Sequence, residues 1–175
     1  MRIHLSLLLL LFTCVFLNAQ VWETPAVAGY GKIKNFKEAA VQPDPSLHYK
    51  LLFDITSTSE KEGVNKGLWK VARTLNMLAI TSIPKEQIHV VVAVHGPATY
   101  VVLNEEKHQE KFEKANPNIP LLKSLKEQGV TVYVCGQATA ELKIPEENMH
   151  PYVTTAFSAL SVLSNYLLNG YTLIP

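Results

Sequence analysis

The sequence predicts an α/β fold, a three-layer sandwich around a mostly parallel five-stranded sheet. The clearest support is the segment Ile88–Val94 (IHVVVAV), which is β-branched at most positions. Both faces of such a strand should be buried, as in parallel sheets covered by helices. In addition, short apolar runs alternate along the chain with helical periods, the pattern of successive βαβ units with right-handed crossovers. Together these observations indicate a flavodoxin-like or Rossmann-like arrangement.

Five strands and five helices are expected. The strands are residues 48–55, 88–94, 130–134, 149–153 and 171–174, and the helices are residues 64–80, 105–115, 121–128, 139–143 and 156–168. The first helix is recognised by apolar residues at helical spacing, among them Leu68, Val71 and Leu75. The charged helix at 105–115 should stop at the Asn-Pro-Asn-Ile-Pro run of residues 116–120, and Gly129 should cap the helix that follows.

The C-terminal third has patterns of unequal strength. The strand at 130–134 (VTVYV) ends at Cys135, whereas the strand at 149–153 has the weakest pattern of the five. The helix at 156–168 should stop at Asn169 and Gly170. It carries four apolar residues on one face, Phe157, Leu160, Leu163 and Leu167.

The chain divides into three parts. Residues 1–19 have the layout of a secretory signal peptide, with Arg2 before an apolar run and small residues at its end. The run is short for a membrane span, and an uncleaved anchor is the alternative. Residues 20–46 are rich in turn formers and are expected to be an N-terminal arm that lies on the domain or on a neighbouring subunit. Residues 47–175 form a single α/β domain. We therefore expect an exported protein, periplasmic or secreted.

Charge and apolar content argue against two classes of partner. The chain holds 16 Lys+Arg and 15 Asp+Glu, and the only charged residue of the leader is Arg2, so the mature chain would be neutral. It has no basic stripe of the kind that binds nucleic acid or anionic lipid. No apolar stretch after the leader is long enough to cross a bilayer. Neither nucleic-acid binding nor stable membrane insertion after signal cleavage is expected.

Cys135 is the main candidate for chemistry. Ligands of doubly wound sheets bind beyond the carboxyl ends of the strands, where this residue should lie. The other cysteine, Cys14, would leave with the leader, so no intrachain disulfide is expected. Gly136 would let the chain turn sharply and expose the thiol, and the helix expected next would favour a thiolate through its free amides. The alternative is an inert, buried cysteine.

His95 ends the neighbouring strand and is a candidate base or orienting group for Cys135, although it could equally hold a turn. Gly136, Gln137 and Thr139 would support the same pocket. A cysteine hydrolase built on Cys135 and His95 lacks an evident acidic residue to orient the histidine. The other histidines show no metal-ligand spacing, and neither a P-loop nor a Gly-x-Ser-x-Gly elbow is present, so no metal and no cofactor are expected.

Several short motifs, taken in order, resemble the DsrE/DsrF-like family over about residues 49–175. They are Leu75-Asn76-Met77 in the first helix (a feature of exported members), His95-Gly96-Pro97-Ala98, Gly129-Val130, Val134-Cys135-Gly136-Gln137-Ala138-Thr139 and Asn169-Gly170-Tyr171. The resemblance implies a DsrE-like three-layer sandwich with a parallel sheet. It also implies a homo-oligomer, trimer or hexamer, and an arm that packs on a neighbouring copy would fit such an assembly.

The resemblance further implies sulfur chemistry. In better-studied members a cysteine of this loop accepts sulfane sulfur as a persulfide and hands it to a partner thiol. Cys135 would then be a sulfur carrier, with thiol-bearing donor and acceptor proteins as partners. Cytoplasmic relay members carry an arginine-rich stretch shortly after the cysteine, whereas this chain has Ala140-Glu141-Leu142-Lys143 there. The alternative is a non-enzymatic, oligomeric binding or assembly module of the cell envelope, in which Cys135 only packs.

Overall fold

The computed structural model describes residues 21–175, and the predicted leader lies outside them. Short 3-10 turns join the strands and helices of the described part. The strands are β1 (Tyr49–Ile55), β2 (Glu60–Lys61), β3 (Val64–Asn65), β4 (Ile88–Val94), β5 (Thr131–Cys135), β6 (Val153–Ala156) and β7 (Thr172–Ile174). The α-helices are α1 (Lys66–Ile80), α2 (Glu105–Phe112), α3 (Ile119–Glu127), α4 (Gly136–Glu141) and α5 (Ala159–Leu168). No helix within residues 21–175 has the length and apolar character needed to span a membrane.

Five strands form one parallel sheet in the order β6-β5-β4-β1-β7, and β2 and β3 form a small antiparallel hairpin. The crossovers from β1 through β4 and β5 to β6 all run in one direction, so right-handed connections place their helices on one face, the front face. The connection from β6 to β7 returns across the sheet and places α5 on the opposite face, the back face. The predicted fold class is confirmed.

The main core lies on the front face. Phe53, Val92 and Val134 point to it and are at most 2% exposed, and buried leucines of α1 and α3 pack against them. The back face has a smaller buried cluster, in which Leu52 and neighbouring strand residues meet Val162 of α5. Both faces of β4 are therefore covered, as its continuous apolar run predicts.

The predicted strand at 149–153 is wrong in position. Met149 makes only an isolated bridge to Leu103, and the fourth strand of the sheet in chain order, β6, begins at Val153. Pro151 explains the shift, because a proline has no N–H to donate to a ladder through 149–153.

Four of the five helices begin elsewhere than predicted, and α3 starts at Ile119 although residue 121 was expected. The first was expected from Val64, but Val64 and Asn65 pair in the hairpin and α1 starts at Lys66. The Asn65 side chain caps this helix by accepting hydrogen bonds from the N–H groups of Gly67 and Leu68. The helix α4 starts directly after the strand, at Gly136, and ends at Glu141, whereas residues 139–143 were expected.

The four apolar residues predicted on one face of the last helix do not form its buried face. The helix starts at Ala159 and buries Ala159 and Val162, whereas Leu160 is 75% exposed and Phe157, just before the helix, is 82% exposed. Ser158 is the N-cap, so Phe157 lies before the helix and not on its face. The sheet then meets only a narrow stripe, which includes Leu163.

Part of the N-terminal arm lies on its own domain, which was one of the two placements considered. Glu23 and Ile33 pair with backbone hydrogen bonds of 2.8 and 2.9 Å, closing a loop that folds onto α1. Val27, within this loop, is fully buried in the front core. At Gly31 the loop is so close to the helix that a Cβ would lie 2.2 Å from the backbone nitrogen of Arg73.

Asn76 of α1 holds this loop. Its Oδ1 accepts hydrogen bonds from the N–H groups of Ala26 (2.8 Å) and Val27 (2.9 Å). Its Nδ2 donates to the carbonyls of Tyr30 (2.8 Å) and Gly31 (3.0 Å). One fully buried side chain thus satisfies four backbone groups of the arm.

Candidate functional site

Cys135 ends β5 and is the N-cap residue of α4. It alternates along the strand with Tyr133, which packs on the back-face cluster, so its side chain also faces the back of the sheet. There it contacts Ala138 of α4 and Ala159 of α5. The thiol consequently lies where the N-termini of two helices converge, and the residue is only 6% exposed.

The surroundings of Sγ favour a thiolate. Burial raises the pKa of the Cys135 thiol, but hydrogen bonds from the N–H groups of Ala159, Ala138 and Gln137 and from the Ser158 hydroxyl lower it, and the net result is a lowered pKa. These N–H groups belong to the first turns of helices, where they have no intrahelical partner. The Ser158 oxygen lies 3.9 Å from Sγ.

The residues that follow Cys135 brace the site rather than open it. At Gly136 a Cβ would lie 2.8 Å from the carbonyl oxygen of Ala156, so glycine is needed for the close approach of β6. The expectation that Gly136 would turn the chain and expose the thiol is wrong, because the helix starts at once and Cys135 is buried. Gln137 donates a 3.0 Å hydrogen bond to the carbonyl of Phe157, and buried Thr139 donates one of 2.9 Å to Gly136.

His95 lies beside Cys135 but is bonded elsewhere. The register pairs Val94 with Val134. The residues that follow them, His95 and Cys135, are therefore neighbours at the edge of the sheet. The His95 Nε2, however, is 2.8 Å from Oδ1 of Asp54, at the end of β1. His95 is not among the groups that hydrogen-bond Sγ in the described part of the chain.

The amino-acid sequence around this site matches a known protein family. The model described as the DsrE/DsrF-like family matches residues 50–175. The chain belongs to the DsrE/DsrF-like family. No curated protein matches it significantly.

Solved structures confirm the DsrE-like fold. The chain is similar to MTH1491, a protein of unknown function from Methanobacterium thermoautotrophicum, with a TM-score of 0.54 and 14% identity over 72% of this chain and 97% of the other. It is also similar to the ychN protein of E. coli, with a TM-score of 0.50 and 17% identity over 71% of this chain and 96% of the other. At these identities the likeness concerns the fold alone.

Two residues of the DsrE/DsrF-like site escaped the sequence reasoning. Asp54 is the last residue but one of β1 and is the acidic partner of His95 that was not evident in the sequence. A signal existed, because Asp54 lies next to the end of β1, His95 directly follows β4, and parallel strand ends meet at one edge. Ser158 gave only a weak signal, since its contact with Cys135 depends on how α5 crosses the back of the sheet. Asp54 also lines a polar groove of about 230 Å³ with Lys66 and Lys70 of α1.

Proposed function

We propose that this member of the DsrE/DsrF-like family handles sulfur, with Cys135 carrying sulfane sulfur as a persulfide. Family membership supplies the sulfur-related setting. The observation that supports the finer role is the set of donors around Sγ, three helix-terminal N–H groups and the Ser158 hydroxyl, which lower the thiol pKa. A lowered pKa increases the thiolate fraction near neutral pH, and the thiolate is the nucleophile of sulfur exchange.

The proposed step is an exchange without net oxidation. The Cys135 thiolate attacks the outer sulfur of a donor persulfide, R–S–SH. The S–S bond of the donor breaks, a new S–S bond forms to Sγ, and the donor leaves as the thiolate RS⁻. A thiolate of the acceptor then attacks the outer sulfur on Cys135, which returns the Cys135 thiolate. The N–H groups of Ala138 and Ala159 would stabilise the negative charge on Sγ before attack and after release.

Loading of the folded protein with sulfane sulfur tests this role. The protein is incubated with glutathione persulfide, and intact mass is recorded before and after reduction. We expect an increase by the mass of one sulfur atom, reversed by reduction, and no increase in the Cys135→Ser variant. Equal loading of wild type and Cys135→Ser, or no loading of folded wild type, would reject the carrier role.

A second function, a binding or assembly module in which Cys135 only packs, is favoured by the burial of the thiol. Cys135 is 6% exposed and lies against Ala138 and Ala159. This function predicts that iodoacetamide labels Cys135 only after denaturation. The carrier role predicts labelling in the folded state, with an apparent pKa below the usual value of about 8.5.

We also propose that the chain is exported and self-associates as a trimer or hexamer. Phe157, Leu160 and Leu168 are at least 75% exposed on or next to α5, and exposed apolar clusters commonly mark interfaces. Light scattering of the purified protein should give a multiple of the monomer mass, and Leu160→Glu should reduce it. A monomeric mass at micromolar concentration would reject assembly.

Fractionation of cells producing the full chain tests export, which is rejected if the protein stays in the cytoplasm at full length.

A further inference from the structure

A second cavity lies at the front of the sheet, apart from Cys135. It has a volume of about 210 Å³ and opens between the β2–β3 hairpin, α2 and the 3-10 segment Gly96–Val102. Its apolar walls include Tyr100 and Phe112, whose rings meet edge-to-face with centroids 5.8 Å apart. The lining shares no residue with the surroundings of Cys135 described above.

The floor of this cavity is a buried chain of amides. The Oδ1 of Asn118 accepts a 2.7 Å hydrogen bond from the N–H of Asn65, and its Nδ2 donates to Oδ1 of Asn116 at 3.0 Å. The Nδ2 of Asn116 donates in turn to the carbonyls of Val101 and Leu103. All three asparagines are at most 5% exposed. This chain fixes the segment 116–118, which had seemed only to interrupt a helix, as a rigid surface of the cavity.

Two polar groups in the lining keep unused hydrogen-bonding capacity. The Nδ1 of His108 bonds the carbonyl of Lys114 at 2.9 Å and therefore carries the proton. Its Nε2 has no partner within residues 21–175, although His108 is only 5% exposed. That nitrogen is not sealed inside the protein, so the cavity that His108 lines is where it can meet a donor. Asn118 likewise has a second amide hydrogen without a partner among the described residues.

We propose that this cavity binds a small planar molecule that carries a carboxamide on an apolar ring. His108 offers an acceptor at Nε2 and Asn118 offers a donor, and a carboxamide has the matching N–H and C=O. Tyr100 and Phe112 supply the aromatic surface for the ring. The charges at the rim nearly cancel, because Lys114 lies 3.9 Å from Glu60. The site is thus suited to a neutral ligand more than to an anion.

Benzamide and benzoate are matched probes, because they differ in the single group that the site should distinguish. Benzamide has about nine non-hydrogen atoms, for which a dissociation constant on the order of 1 mM is usual. We expect that benzamide at pH 8 shifts the amide resonances of Tyr100, Phe112 and Asn118 in two-dimensional NMR. Benzoate should bind about 10-fold more weakly, because it has no N–H for Nε2 of His108.

Two variants test the residues themselves. His108→Asn keeps a donor near the Nδ1 position and removes the acceptor Nε2, and it should weaken benzamide about 10-fold. Phe112→Ala, at a residue 39% exposed, removes part of the wall and should also weaken binding if His108→Asn fails to fold. Phe36→Ala, which removes an exposed ring of the N-terminal arm, is the control and should bind as wild type does. The proposal is overturned if benzamide shifts no resonance around the cavity, if benzoate binds as tightly, or if neither variant weakens binding.

Discussion

Removal of the Asn76 side chain should release the N-terminal arm. In Asn76→Ala, two N–H groups and two carbonyls of the arm loop lose their partners. Each unsatisfied buried group costs about 1–3 kcal/mol, so an arm that stayed in place would lose about 4 kcal/mol or more. The apolar contact that opposes release is mainly Val27, whose burial contributes about 1.5–3 kcal/mol. The cost of staying exceeds this contribution, so detachment is the expected outcome.

The detached arm leaves the sheet and its helices folded, which limits the global effect. The free energy of unfolding should fall by about 1.5–3 kcal/mol, the value of the lost Val27 burial, and not by the full sum of the broken hydrogen bonds. The population of molecules with the arm detached should therefore increase much more than the population that is globally unfolded.

Two assays separate local from global loss. Trp22 lies 5.8 Å from the guanidinium of Arg73 on α1, so its fluorescence should change when the arm leaves, and Trp69→Phe removes the second tryptophan signal. Trypsin should cleave Asn76→Ala after Lys32 far faster than wild type. Asn165→Ala, at an exposed asparagine of α5, is the matched control. Unchanged fluorescence and cleavage in Asn76→Ala would refute the view that this side chain holds the arm.

Three further predictions concern the thiol and its supports. Ser158→Ala should raise the pKa of Cys135 and slow its alkylation at neutral pH, because a hydrogen bond to Sγ is lost. Ser161→Ala is the control. It weakens the same helix cap without touching Sγ and should leave the pH profile of Cys135 alkylation unchanged. Because the folded pKa of Cys135 is lowered, the thiolate contributes stability that is complete above the unfolded thiol pKa of about 8.5 and is lost as the pH falls through the folded value. Urea titrations should therefore show the stability of wild type relative to Cys135→Ser increasing with pH up to about 8.5, and a flat difference would contradict the lowered pKa. Gly136→Ala should lower the free energy of unfolding by about 1–3 kcal/mol in thermal melts, since its Cβ would lie 2.8 Å from the carbonyl oxygen of Ala156 in β6. An unchanged melting temperature would mean that Gly136 and β6 can move apart at no cost in stability.

Much of the fold could be predicted because its signals are local. The strand β4 has the predicted bounds, since an unbroken β-branched run has few other structures open to it. The strand β6 was misplaced because a short strand at a sheet edge has few buried residues to mark it, and Pro151 was overlooked as a breaker.

The site was predictable only in part. That Cys135 ends a strand and precedes a helix follows from sequence, and both features are present. Its burial could not be inferred, because it depends on the first turn of α5, which arrives from the opposite face of the sheet. His95 forms its hydrogen bond with Asp54 and not with Cys135, which depends on the rotamer of the histidine side chain. Residue patterns carry no information on rotamers.

Because the first turn of α5 contacts Cys135, the proposed self-association and the proposed sulfur exchange would use adjacent parts of one surface. Ser158 and Ala159 touch the thiol, while Phe157 and Leu160, their immediate neighbours, project outward with most of their surface exposed. If the chain self-associates through those two side chains, the second copy would lie next to the residues that contact Sγ. Binding of a donor protein and self-association would then oppose each other through shared occupancy, so that protein concentration itself would set how fast Cys135 is loaded.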